Sequence, residues 1–277
     1  MKYVAKYVEE NENTSEPAEF SYAIRVIFRV VLVVIAIYLA LGIIVDFAVP
    51  YIPPAWEDNL AGPIINELRA NTPSSQKFEV DQIQQLVDSL AGLMDVPHRK
   101  FYINVMEKDE TNALALPGGY IVIYSQLLEK VDSENELAMI LAHELGHFSA
   151  RDHLRGLGRS FLFYIVANFV FGGQSDSVRQ LMNSSGILQN NYSRQQEFAA
   201  DKFALELVIK KYGHAGGTTD FFKRLAEKET LPQLAHYLST HPASERRVKV
   251  LNQLISDNSY EIKATTPVFW VKAEKEK

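Results

Sequence analysis

Between Val30 and Val45 the chain carries no charged residue, and extending back through Phe28, Ile27 and Val26 admits only Arg29. A helix over this segment is about long enough to cross the roughly 30 Å hydrocarbon core of a bilayer, with Arg29 able to snorkel to its surface. Asp46 closes the far end, and Pro50, Pro53 and Pro54 prevent the helix from continuing. The apolar stretch starts well inside the chain and no clear small-residue cleavage site follows, so a signal anchor is expected rather than a removed leader. Lys2, Lys6, Arg25 and Arg29 stand before it, whereas Asp46 to Leu68 holds no Lys or Arg. That asymmetry places the N-terminal tail in the cytoplasm and the larger part outside. Glu9, Glu10, Glu12, Glu16 and Glu19 make the tail too acidic for a mitochondrial transit peptide, which points to a bacterial or archaeal plasma membrane.

Beyond the prolines, the apolar spacing alternates between helix and strand. Leu60, Ile64, Ile65 and Leu68 predict a juxtamembrane amphipathic helix over Trp56 to Ala70, and residues 71–76 read as a linker. Val80, Ile83, Leu86, Val87 and Leu90 mark a second helix ending near Gly92. Phe101, Ile103 and Val105 alternate with Tyr102, Asn104 and Met106, and Tyr120 to Tyr124 is a dense β-branched and aromatic run. Pro117, Gly118 and Gly119 supply the turn before it. Ser133 and Glu136 have capping-box spacing and open a helix that continues across His147. Residues 190–211 form a further helical stretch ended by Gly213, and 243–254 a last helix before a charged, frayed tail. Phe161 to Phe171 is almost wholly apolar but too short to span, so a buried core helix is expected there, ahead of an interfacial segment or a re-entrant hairpin. The class is α+β, predominantly α, behind one transmembrane helix.

The helix opened by Ser133 carries His143, Glu144, Leu145, Gly146 and His147, the H-E-x-x-H pattern. Two histidines four residues apart lie one turn apart on one helix face, so both imidazoles reach a single zinc ion while Glu144 stands beside its open position as general base. Hydrolytic sites of this kind take a third ligand, often a carboxylate from another helix. Glu197 is the best candidate, and Asp201 falls one turn later on the same face, placed to accept the second N–H of a ligating imidazole.

These residues, with Ser193-Arg194 ahead of Glu197, Ala200-Asp201 after it, Asn112-Ala113-x-Ala115-x-Pro117-Gly118-Gly119 and His241-Pro242, resemble the CaaX prenyl protease and HtpX-like zinc endopeptidases, a gluzincin family. The resemblance runs from Phe78 to Leu254. It implies a zincin-like domain holding one Zn2+ per chain through His143, His147 and Glu197, with a small sheet whose edge strand borders the cleft. Asn112, Ala113 and Leu114 on that strand would bind an extended substrate by strand addition. His241 is implied near the site, either as a donor to the oxyanion of the tetrahedral intermediate or as a cap on the open zinc position that holds the enzyme latent. Arg246 or Arg247 would support it. A single span departs from the multi-spanning members of that family and points to a tethered endopeptidase rather than a prenyl-peptide processor. The chain divides into a cytoplasmic tail (1–22), a signal anchor (23–49), a juxtamembrane helix and linker (50–76), a metallopeptidase domain (77–260) and a tail (261–277).

The net charge of −6 with scattered Lys and Arg gives no basic stripe, which argues against a nucleic-acid partner. The absence of cysteine removes disulfides, thiol catalysis and Cys-based zinc ribbons together. The expected partners are the bilayer and unfolded or membrane-proximal protein substrates, as in protein quality control. A membrane-tethered chaperone or binding module with a structural zinc is the competing class. His98, His153, His214 and His236 are read as structural or solvent-exposed.

Overall fold

A computed structural model describes residues 20–75, 78–95, 99–171, 192–227, 241 and 244–270. The tail of residues 1–22 falls mostly outside these, as do His98 and His236. The chain adopts the expected α+β class, mainly helical with one small sheet. Helix α1 (Phe20–Ala48) is apolar, with a mean hydropathy of 2.9 over its most apolar 18 residues, and is long enough to cross a membrane. A 3-10 turn, Val49–Tyr51, joins it to α2 (Pro54–Asn71), which starts on a proline suited to a first helical turn. Then come α3 (Val80–Ala91), β1 (Tyr102–Met106), β2 (Ala113–Leu116), β3 (Tyr120–Tyr124), α4 (Ser125–Lys130), α5 (Glu134–Ser149), α6 (Asp152–Phe171), α7 (Arg194–Tyr212), α8 (Asp220–Glu227) and α9 (Ser244–Asp257).

The sheet has the order β1-β3-β2, with β1 parallel and β2 antiparallel to the central β3. Its middle strand is apolar throughout because both faces are covered. Ile103, Val105, Ala113, Ala115, Ile121 and Ile123 face the main core. Met106, Leu114, Leu116, Val122 and Tyr124 form a second cluster closed by Ile65 and Leu68 of α2. The juxtamembrane helix is therefore a layer of the folded body. Its seat on the β2–β3 turn needs glycine: Gly118 has φ +78°, and a Cβ there would come within 2.5 Å of Ala61 Cβ.

Helix α5 is buried from Asn135 to Phe148, the centre of the body, and packs along α7 on one side and against α3 and β2 on others. Ser133 caps it by accepting from Glu136 N at 3.2 Å. The reciprocal half of the expected box is not made: the Glu136 carboxylate takes the Asp132 N–H and the Arg224 guanidinium instead. A full capping box stands at α7, between Ser193 and Gln196, where it fixes the start of the helix that carries Glu197.

Two expectations are overturned. The 261–270 segment is not a frayed tail. Glu261 O accepts from Ala215 N, Thr266 exchanges hydrogen bonds with the first turn of α5, and Trp270 is buried edge-on to Phe78. Nor is the Phe161 to Val166 part of the apolar segment packed as a core helix, since Phe161, Phe163 and Ile165 are exposed on α6. That helix packs on α1: Gly158 lies against Val45, and Arg159 pairs with Asp46 at 2.6 Å. Arg151, at φ 57° in the turn between α5 and α6, donates to Val49 O at 3.0 Å and Ile52 O at 2.6 Å. The end of the apolar helix is thus bonded directly to the exit of α5.

Candidate metal centre

Helices α5 and α7 approach closely where Gly146 meets Ala200. A Cβ on Gly146 would stand 3.0 Å from Ala200 Cα, so any larger residue would push the two helices apart by a few tenths of an ångström. Gly146 lies between the two motif histidines' turns, and Ala200 between Glu197 and Asp201, so the contact aims both carboxylates at the imidazoles. His143, Glu144, His147, Glu197, Asp201 and His241 are all buried.

Four donor atoms, one each from His143, His147, Glu197 and His241, lie within 4.8 Å of one another. His143 Nε2 is 3.1 Å from His147 Nε2 and 3.2 Å from His241 Nδ1. Glu197 Oε1 is 3.3 Å from His147 Nε2 and 3.0 Å from His241 Nδ1. Bonds of 2.0–2.1 Å in a tetrahedral zinc site put neighbouring ligand atoms about 3.3 Å apart. The donor set and its spacing therefore fit that ion. Converging nitrogen lone pairs at these distances repel unless a cation or a proton sits among them.

The far side of each ring fixes its tautomer. His143 Nδ1–H donates to Asp201 Oδ1 at 3.0 Å, and His147 Nδ1–H donates to Asp152 Oδ2 at 3.0 Å, leaving both Nε2 atoms to face the cluster. Burial, reinforced by Arg247, pulls the His143 pKa down to about 4, so this ring is neutral. Burial pulls on His147 likewise, but the hydrogen bonds to Asp152 and Glu197 overcome it and raise that pKa to about 9. Arg247 forks onto Asp201 through Nε at 2.8 Å and Nη2 at 2.6 Å, while its Nη1 reaches Glu197 Oε2 at 2.7 Å. Of the two arginines considered, Arg247 is the one that holds this region. Despite burial, Glu197 and Asp201 stay ionised, Glu197 chiefly through His241 and Arg247 and Asp201 chiefly through Arg247.

Glu144 is different. Both of its oxygens are buried without a hydrogen-bond partner among the described residues, and burial raises its pKa. His241 Nε2 stands 3.7 Å from it. His241 itself turns Nδ1 into the donor cluster, at the fourth corner rather than beside it. Tyr192 stacks on His147 with ring centroids 3.8 Å apart. Ala113 and Leu114 lie on the edge strand β2, which packs against α5, with Asn112 just before it; all three are buried, and the Ala113 N–H is taken by the Asn112 side chain at 3.0 Å.

Asp152 and Tyr192 were not anticipated from sequence. Asp152 opens α6 a short turn after His147, and Gln196 Nε2 donates to its second oxygen at 2.7 Å. An acidic residue in a first helical turn is too common to signal a partner. His153 is buried beside Glu57 of α2, 3.7 Å away, and stands outside the donor cluster. His214 is buried too, its Nδ1 accepting from Gly216 N.

The chain is 30% identical over 149 residues to the mitochondrial metalloendopeptidase OMA1 of Arabidopsis thaliana, covering 54% of this chain and 30% of that protein. It is 26% identical over 219 residues to OMA1 of Bos taurus, covering 73% of this chain and 40% of that protein. To the protease HtpX homolog of Salinibacter ruber it is 26% identical over 212 residues, 64% of this chain and 76% of that one. The chain thus spans less than half the length of these OMA1 relatives. The sequence profile of peptidase family M48 matches residues 78–255, which take in α3, the sheet and every donor residue. With the match covering most of the chain and taking in all four converging donor residues, this protein belongs to peptidase family M48.

Proposed function

We propose that the chain is a membrane-anchored zinc endopeptidase that hydrolyses protein substrates, in a quality-control role. The observation that carries this reading is the cluster of four converging donor atoms beside Glu144, a buried carboxylate with no hydrogen-bond partner among the described residues. His143 and His147 through Nε2 and Glu197 through Oε1 would hold one Zn2+ per chain. The ion, when bound, lowers the pKa of water toward neutrality and polarises a scissile carbonyl. Glu144, its basicity raised by burial, accepts the proton of the attacking water and passes it to the leaving amine. Asp201 and Asp152 keep the two imidazoles in the tautomer that presents Nε2. Asn112, Ala113 and Leu114 on β2 would bind an extended substrate backbone, giving affinity that depends little on sequence.

The bias of Lys and Arg to the N-terminal side of α1 supports a cytoplasmic tail, a single span in the plasma membrane and a catalytic body, residues 77–260 with the docked 261–270 segment, on the outer side. A specific observation favours one refinement: His241 Nδ1 takes the fourth corner of the donor set. This supports the capping role over the oxyanion role. The test is full-length protein in vesicles, assayed for zinc content and for cleavage of casein beside Glu144→Gln. One zinc per chain in both, with cleavage falling by about 10²–10⁴-fold in the variant, is expected. Undiminished cleavage by Glu144→Gln overturns the assignment of the base, and retained biological function without cleavage favours the chaperone reading.

A further inference from the structure

The apolar half of α6 has no place in the core. From Phe161 to Val166 the helix is apolar on every side apart from the Tyr164 hydroxyl, yet Phe161 is 58% exposed, Phe163 48% and Ile165 46%, while Leu162, Tyr164 and Val166 are half-buried. A helix apolar all round is stable only where its surroundings are apolar all round. One side of α6 has such a neighbour in α1. Gly158 admits Val45 so closely that a Cβ would meet its Cγ1 at 2.7 Å, and the half-buried positions of α1 run back from there as one stripe through Gly42, Leu41, Tyr38 and Val34. The flanking faces of α1 at these levels, with Leu39, Ile43 and Ile44, are exposed and equally apolar.

The polar boundary is marked on both helices at one height. Arg159 and Arg155 both reach Asp46, at 2.6 and 3.9 Å, and Phe47, Tyr51 and Trp56 are exposed just beyond. Aromatic rings and snorkelling arginines at the end of a span are the signature of the membrane–water interface. Ile165 lies six residues past Arg159, about 9 Å along the helix, well within one leaflet.

We propose that α6 is inserted in the bilayer beside α1, its Phe161, Phe163 and Ile165 side chains in the hydrocarbon of the leaflet on the catalytic side, with the Arg159–Asp46 pair at the surface. The occupant of this face is lipid rather than a partner protein, because the exposed apolar surface is continuous with the lipid-facing sides of α1. The helix runs unbroken from Asp152, which holds the His147 ring, to this inserted stretch, so the donor cluster stands within a few turns of the bilayer surface. The inference rests on α1 crossing the membrane and not on the peptidase reading.

The chain contains no cysteine, so one introduced thiol carries one label. Full-length Phe163→Cys and Ile165→Cys, labelled with an environment-sensitive fluorophore and reconstituted into phosphatidylcholine vesicles, are compared with Val31→Cys on α1 and Lys202→Cys on the exposed face of α7. Blue-shifted emission at 163 and 165, quenched by spin-labelled lipid to at least half the extent seen at 31, with no quenching at 202, is expected. Labels at 163 and 165 that behave as at 202 overturn the proposal. Unlabelled thiols there that resist an impermeant maleimide, while the labelled sites are not quenched by lipid, overturn it too, since a protein then covers the face. An unquenched label at 31 removes the span on which it stands.

Discussion

Replacing Arg247 by alanine tests whether the centre is held by charge. Its guanidinium makes a two-pronged contact with Asp201, an ion pair with Glu197 and a stack over the Phe222 ring, 4.4 Å from the centroid. All of these partners are buried, so Arg247→Ala leaves two carboxylates in a dry interior with no adjacent arginine. Removing one partner of a buried ion pair destabilises by about 3–5 kcal/mol. For a body of this size each kcal/mol lowers the melting temperature by about 2–4 °C, so a fall of about 6–20 °C is expected. Trp270, buried against Phe78, reports the transition by fluorescence, measured on chelator-treated protein so that metal binding does not mask the loss. Arg247→Lys keeps the charge but cannot make the fork, and should fall between the two. A chelated Arg247→Ala melting within about 2 °C of the parent would refute the idea that Asp201 and Glu197 depend on this cation.

Three further outcomes are expected. His241→Ala opens the fourth corner of the donor set, so casein cleavage should rise, whereas an oxyanion donor at this position would make it fall by about 10²–10³-fold. Asp152→Ala removes the acceptor that fixes the His147 ring, and zinc affinity measured against a competing chelator should weaken by about 10–100-fold with the helix content unchanged. Burial works against the charge on Glu57, but His153, Arg99 and Arg151 overcome it and hold its pKa below the ordinary 4.5. The stability this supplies is present above that value and is lost as pH falls through the lower folded-state value. Hydrogen exchange over α2, corrected for intrinsic rates, should therefore quicken on acidification below about pH 4.5 in the parent and change little with pH in Glu57→Gln; identical profiles would exclude the Glu57 charge as a stabiliser of α2.

Spacing alone made much of the body readable. The i, i+4 placement of His143 and His147, and of Glu197 and Asp201, needs only helix geometry. The alternation of Ile103 and Val105 with their neighbours likewise requires only a pleat. The unread features depend on what lies across from a residue. Periodicity says that Phe161, Phe163 and Ile165 avoid water but not which apolar surroundings receive them. Glu136 had the right spacing for its box, yet Arg224, far along the chain, offered a cation that a backbone N–H cannot match. Trp270 belongs to a short apolar run, Val268 to Val271, just ahead of a charged end, and so short a run names no partner, although Phe78 supplies its ring contact. Asp152 became a partner of His147 only because Arg151 reverses the chain in a left-handed turn.

That reversal has a mechanical meaning. With the Arg151 side chain bonded to Val49 O and Ile52 O, the body that carries the donor cluster does not swing on a flexible leash but stands on a short fixed pillar. On the proposed reading, an active centre mounted this way would work at one height, and segments of a client that lie far from the bilayer would have to be brought down to it. The arrangement would act as a ruler.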